Sequence, residues 1–153
     1  MAMRVGVISD THGLLRPEAI AALTGVDHIL HAGDVGDAVI LDALARIAPL
    51  TAIRGNIDLT GVCSALPATE FINLSDFSIY MLHSINDLDL DPVAASVHVV
   101  VSGHSHRPLI ERRKGVLYFN PGSAGPRRFS LPISIGILSL GAAEPVAEIY
   151  HLI

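Results

Sequence analysis

The stretch "VVVSGHSHRP", residues 99–108, ends a β-branched run in two histidines two residues apart, His104 and His106. Imidazole is the side chain that most readily trades protons near neutral pH and binds metals, and Gly103, Ser105 and Pro108 around the pair describe a loop that aims ring nitrogens at something. Comparable residues recur along the chain: Asp10 and His12 in "SDTHG", Asp34 in "HAGD", Asn56 and Asp58 in "RGNID", and His83 closing "FSIYMLH". Carboxylate, imidazole and amide oxygen without thiolate form a ligand set for divalent ions such as manganese, iron, nickel or zinc. Each motif alone has an ordinary reading as an Asx turn, a strand terminator or a Gly-Asn turn. Their joint placement after strands is what ordinary turns leave unexplained. His28, His31, His98 and His151 lie before, inside or away from those strand ends and are read as structural.

The elements that must carry these residues follow from local pattern. "RVGVIS" (4–9), "VDHILHAG" (26–33) and "LTAIRG" (50–55) read as buried strands. Between them, a helix near 17–24 has Pro17 in its first turn, and another over 37–48 has Asp37 as N-cap and Pro49 as its stop. Strand alternating with helix at this density predicts α/β architecture with parallel pairing. The second half changes character. "TEFINL" (69–74) and "FSIYMLH" (77–83) are separated by only Ser75 and Asp76, "LIERR" and "VLYFN" by Lys114 and Gly115, and "ISIGILSL" is followed by "VAEIYHL". These are hairpin spacings. A helix-like piece is expected around 93–97. The chain is thus expected to begin as parallel α/β and to end mostly antiparallel, with two sheets packed face to face and flanked by helices. In α/β sheets, loops at the carboxyl ends of strands converge on one crevice, which is where the metal-competent residues fall.

Composition narrows the partners. The 153 residues are half apolar and 16% charged, as in folded globular proteins, and no linker or repeat divides them, so residues 1–153 are expected to form one domain. The formal charge is −5, with ten basic residues scattered in short groups. Nucleic acid is therefore not an expected partner. Arg127 and Arg128 in "GPRRF" are read as solvated surface rather than as a phosphate site. The single Cys63 is read as a small buried apolar side chain in a reducing compartment. "LPISIGILSLGAA" (131–143) falls short of the ~20 apolar residues of a membrane span. A cytoplasmic protein with no membrane partner is the expectation, and exposed hairpin edges leave a homo-oligomer open.

The ordered series Asp10-x-His12, Gly33-Asp34, Gly55-Asn56-x-Asp58, His83 and Gly103-His104-x-His106 resembles the calcineurin-like metallophosphoesterases. The "NPGS" at 120–123 further resembles their small single-domain YfcE-like phosphodiesterase branch. The resemblance implies a four-layer αββα sandwich of two mixed β-sheets flanked by helices, and a two-metal centre. Asp10, His12 and His106 would hold one ion, and Asn56, His83 and His104 the other, with Asp34 bridging. Asp34, Asn56 and His83 are the residues it places in catalysis. It further implies two divalent ions, manganese foremost with nickel, iron or zinc as alternatives, and hydroxide between them attacking a small phosphate ester, a diester before a monoester. The rival reading is a binding scaffold of the same fold, as in one eukaryotic retromer subunit. Two positions depart from the family pattern. Ile57 stands where larger members carry a proton-donating His, and "HSI" at 83–85 replaces His-Gly-His.

Overall fold

The computed structural model describes residues 2–153. In chain order the elements are β1 (Met3–Ile8), α1 (Pro17–Leu23), β2 (His28–His31), α2 (Ala38–Ala45), β3 (Leu50–Ala52), α3 (Gly61–Ser64), β4 (Thr69–Leu74), β5 (Phe77–Leu82), a 3-10 turn (Ile85–Asp87), β6 (Val99–Val101), β7 (Leu109–Arg113), β8 (Val116–Asn120), β9 (Ser134–Leu140) and β10 (Val146–His151). They form two five-stranded sheets with orders β10-β9-β1-β2-β3 and β4-β5-β6-β8-β7. In the first, β1, β2 and β3 are mutually parallel and the last hairpin adds to β1 antiparallel. Their carboxyl ends therefore share one edge.

Local chemistry accounts for much of this. Pro17 occupies the first turn of α1, and the Asp37 side chain accepts the Val39 N–H at the start of α2. Ser75–Asp76 and Lys114–Gly115 all have positive φ, the two-residue turn whose twist matches that of paired strands. The faces between the sheets are filled by Val5, Val7, Leu30, Ile79, Met81, Val101, Leu117 and Phe119, among others. The far side of the first sheet packs on α1 and α2 through Leu23, Ile29, Ile40 and Leu44.

Three expectations change. Residues 93–97 form turns rather than a helix, with Ala95 and Val97 N–H groups returning to Asp91 and Pro92. The outer layer over the second sheet is thus the 3-10 turn and turns around it, and it buries Tyr80, Leu82, Val97 and Val100. Within that sheet β6 lies between β5 and β8, parallel to both, because β7 is displaced to the edge. Both sheets are nonetheless mixed, as the resemblance implies. The strands before Asp34 and Asn56 also end sooner than their apolar runs, at His31 and Ala52.

Candidate metal centre

Seven side chains from five loops meet where the parallel strands end. Asp10 and His12 follow β1, Asp34 follows β2, Asn56 follows β3, His83 follows β5, and His104 and His106 follow β6. Five of them, Asp10, His12, Asp34, His104 and His106, have positive φ between 47° and 71°. Non-glycine residues in that region carry strain that the surroundings must over-determine, and here it concentrates at one place.

Backbone pairing carries the strand order on into the loops. The Asp10 N–H bonds the Gly33 carbonyl, His12 bonds Asp34, and Gly103 bonds His83. Two glycines let these loops touch. A Cβ at Gly55 would stand 2.1 Å from Asp34 Oδ1, and one at Gly103 would stand 2.0 Å from Ser9 Oγ. Asp58 is 3% exposed, and its carboxylate accepts the N–H groups of Val35, Gly36 and Gly55. It clamps the Asp34 loop to the Asn56 loop instead of facing the other ligand-type residues. The "NPGS" segment does similar work. Asn120 donates to the Gly103 carbonyl and to Ser105 Oγ, and Ser123 donates to the Asp10 carbonyl.

Within the cluster, two sets stand out: Asp10, His12 and His106, and Asp34, His83 and His104, each offering atoms within 4.8 Å of one another. Asn56 Oδ1 lies 3.2 Å from His104 Nδ1, which attaches the amide to the second set. Asp34 Oδ2 spans both, 3.3 Å from His12 Nε2 and 3.2 Å from His83 Nε2. Asp10 Oδ1 is also central, 3.5–3.7 Å from His106, His12 and His83.

These residues fit divalent ions on three grounds. Asp10 Oδ1, His12 Nε2, His83 Nε2 and His106 Nδ1 are buried without a hydrogen-bond partner, a costly arrangement for protein groups left to themselves. Asp10 Oδ2 meanwhile accepts from Ser9 and from the His104 N–H, so that only Oδ1 is left facing the imidazoles. His83 Nδ1 donates to the Ala32 carbonyl at 2.7 Å, which sets its tautomer and turns the Nε2 lone pair inward, as in metal-ligating histidines.

Electrostatics agrees. Burial works to raise the pKa of Asp10, but His106, His12 and Ser9 outweigh it and hold the carboxyl well below the carboxylate range. Asp34 is lowered in the same way, with burial opposed by His83 and the Ile57 N–H. Burial lowers His83, yet Asp34, the Ala32 carbonyl and Asp10 bring it above its ordinary value.

A calcineurin-like phosphoesterase superfamily domain matches residues 3–143. The chain belongs to this superfamily. A protein of Methanocaldococcus jannaschii named "Probable metallophosphoesterase" is 37% identical over 134 residues, which cover 79% of this chain and 68% of that one. The phosphodiesterase YfcE of Escherichia coli is 25% identical over 169 residues, covering 95% and 92%. The structure of vacuolar protein sorting 29 from Cryptosporidium parvum has a TM-score of 0.83 at 19% identity over 98% of this chain and 91% of that one, which shows the shared fold.

In this member of the superfamily, residues outside the expected set shape the site. A cavity beside His83 and His104 is lined by Arg54, Asn86 and Asp87 among others. The sequence pattern had placed Arg54 inside a strand. Arg127 and Arg128 do not line it, and Arg127 bonds the Leu131 carbonyl at the surface. Cys63 is buried, and burial pushes its thiol pKa up, in keeping with an inert side chain.

His31 is structural, and its role can be specified. Thr11 Oγ1 gives its one proton to the Val35 carbonyl at 2.8 Å, so it accepts from His31 Nε2, 3.0 Å away. His31 Nδ1 then accepts the Gly33 N–H. The neutral ring ties the Asp10–His12 loop to the Asp34 loop. Burial, opposed in part by Asp10 and Asp58, pushes its pKa down to about 4. The unfolded chain takes up this proton near pH 6.5 and the folded one only near 4, so the stabilisation is complete above 6.5 and is lost as pH falls toward 4. The loss is expected to be about 3 kcal/mol. Urea unfolding of wild type and His31→Gln across that range checks it, the variant losing the His31 share of the slope.

Proposed function

We propose that this chain is a metal-dependent phosphodiesterase acting on small phosphate esters, with two divalent ions held by the seven-residue cluster. The observation that carries the reading is the convergence of Asp10 Oδ1, His12 Nε2 and His83 Nε2, all buried and partnerless, with His106 Nε2 3.5 Å from Asp10 Oδ1, from three loops onto one cluster around Asp10 and Asp34. In such a centre Asp10, His12 and His106 would hold one ion and Asn56, His83 and His104 the other, with Asp34 serving both. Paired divalent ions supply a nucleophile at neutral pH and positive charge against the phosphoryl oxygens.

The protein's own part is positional. The Ala32 carbonyl orients His83, the Ile57 N–H fixes Asp34 Oδ1 at 3.0 Å, and Ser9 with the His104 N–H fixes Asp10 Oδ2. Depressed carboxyl pKa values keep Asp10 and Asp34 anionic. No side chain is assigned as a covalent nucleophile. Manganese is the first ion to supply and nickel, iron and zinc the alternatives, since a set of nitrogen and oxygen donors admits all of them. The reading takes residues 1–153 as one cytoplasmic domain. Among the described residues, no helix is long and apolar enough to cross a membrane.

The test is elemental analysis for about two ions per chain, with a metal-supplemented screen of mono- and diesters. Diaryl phosphates should be hydrolysed faster than aryl monoesters. The likeness in fold to vacuolar protein sorting 29 favours one rival, a binding scaffold, which predicts metal uptake without turnover of any ester.

His104→Ala and His106→Ala are each expected to remove most turnover while the fold survives, since both side chains sit in a loop beyond β6 and outside the packed faces. The double variant should be little worse than either single one, because groups acting as a unit do not add. Near-wild-type rates in both single variants with metal present would exclude the loop from the centre.

A further inference from the structure

The cavity beside His83 and His104 has a volume of about 570 Å³, the size that encloses small organic ligands. It adjoins one side of the cluster only. Asn56, His83 and His104 stand in its wall, and Asp10, His12 and His106 do not. An ester whose phosphoryl group sits on the cluster therefore places one of its two alcohol parts here. His83, 8% exposed and with Nε2 unpartnered, marks the end where the phosphoryl group belongs.

The rest of the wall defines that alcohol. Arg54, Thr69, Ser84, Asn86, Asp87 and Asp89 surround the cavity. Arg54 gives one N–H to the Leu66 carbonyl at 2.7 Å and, among the described residues, makes no ion pair. The Asp87 and Asp89 carboxylates likewise have no partner among the described residues. A nucleobase asks for an exposed aromatic face and a quaternary ammonium for an aromatic cage. Apart from the two imidazoles, the aromatic in this wall is Tyr80, 7% exposed. A second phosphate asks for net positive charge, and here two carboxylates oppose one guanidinium. Hydroxyl groups match what is present, because each can donate to a carboxylate while accepting from guanidinium or amide.

We propose that the substrate is a phosphodiester in which one alcohol is a polyol, seated in this cavity, with Asp87, Asp89 and Arg54 as the specificity-determining residues. The inference rests on the phosphoesterase reading above. It is tested with para-nitrophenyl phosphodiesters that share one leaving group and carry glycerol, propyl or choline as the other alcohol, uncatalysed release being subtracted. Bis(para-nitrophenyl) phosphate serves as reference. With metal supplied, kcat/KM for the glycerol ester should exceed that for the propyl ester by about 10–100-fold, as expected for hydrogen bonds to charged groups. In the Asp87→Ala/Asp89→Ala double variant the ratio should fall toward one. The ratio is taken within each protein, so any general loss cancels. A flat ratio in the wild type, a ratio that survives in the double variant, or preference for choline overturns the polyol while hydrolysis of the diaryl ester upholds the phosphoesterase. No turnover of any ester overturns the phosphoesterase reading, and the polyol with it.

Discussion

Asp34→Asn is expected to lower metal content and to cut kcat/KM on a diaryl phosphate by about 10³-fold, the equivalent of ~4 kcal/mol of charge stabilisation. The reason lies in how the two carboxylate oxygens are used. Oδ1 accepts the Ile57 N–H, so an amide at this position must keep its oxygen there and turn its NH₂ toward His12 and His83. The amide nitrogen then takes the place of Oδ2, now 3.3 and 3.2 Å from those imidazole nitrogens, and directs its two hydrogens into the cluster. With metal withheld this is harmless, because the amide can donate to the rings, and the variant should fold as well as the wild type. With metal supplied, the positive NH₂ edge opposes a cation and the negative charge between the ions is gone. Inductively coupled plasma analysis should show reduced occupancy, and thermal melts should show a smaller rise in Tm on adding manganese. Undiminished metal in the variant would remove Asp34 from the bridge.

The second large effect concerns the departing alcohol. Ile57 is 41% exposed and its N–H reaches Asp34, which puts position 57 at the mouth of the cluster with a side chain that cannot donate a proton. Neither His31 nor His83 is free to compensate. His31 is fully buried with each nitrogen engaged, and His83 spends Nδ1 on the Ala32 carbonyl and turns Nε2 toward Asp34. The leaving oxygen must depart with little help from a protein acid, so rates should fall steeply as the pKa of the leaving group rises, with aryl esters far ahead of alkyl ones. Ile57→His should raise alkyl-ester rates by about 10²–10⁴-fold, the usual value of a well-placed general acid, with little gain for aryl esters. A shallow leaving-group dependence in the wild type would show that another group already donates.

Much of this protein is written locally. Period-two and β-branched runs mark β1, β4, β5 and β9, Asp37 caps α2 with its own side chain, and Ser75–Asp76 and Lys114–Gly115 turn where two polar residues separate two strands. The metal-competent types are legible too, since each sits within a few residues of the strand end that carries it. Residues 93–97 misled because their short apolar spacing resembles a helix, while Asp91 and Pro92 hold the backbone in turns.

What no local pattern contains is the set of contacts between distant segments. Asp58 becomes a clamp only when the segment 23 residues before it arrives. His83 obtains its tautomer from a carbonyl 51 residues away, Asp10 is held through the His104 N–H from 94 residues away, and Ser123 reaches the Asp10 carbonyl across 113. The placing of β6 between β5 and β8, and of Arg54 in a cavity wall, is of the same kind. Residue types and the approximate order and position of the strands were determined by the sequence, because propensity and turn chemistry act over a few residues. Which carboxylate faces the histidines and which faces backbone was decided by tertiary structure, because hydrogen-bond partners for a buried carboxylate exist only once the loops of both sheets are brought to one edge.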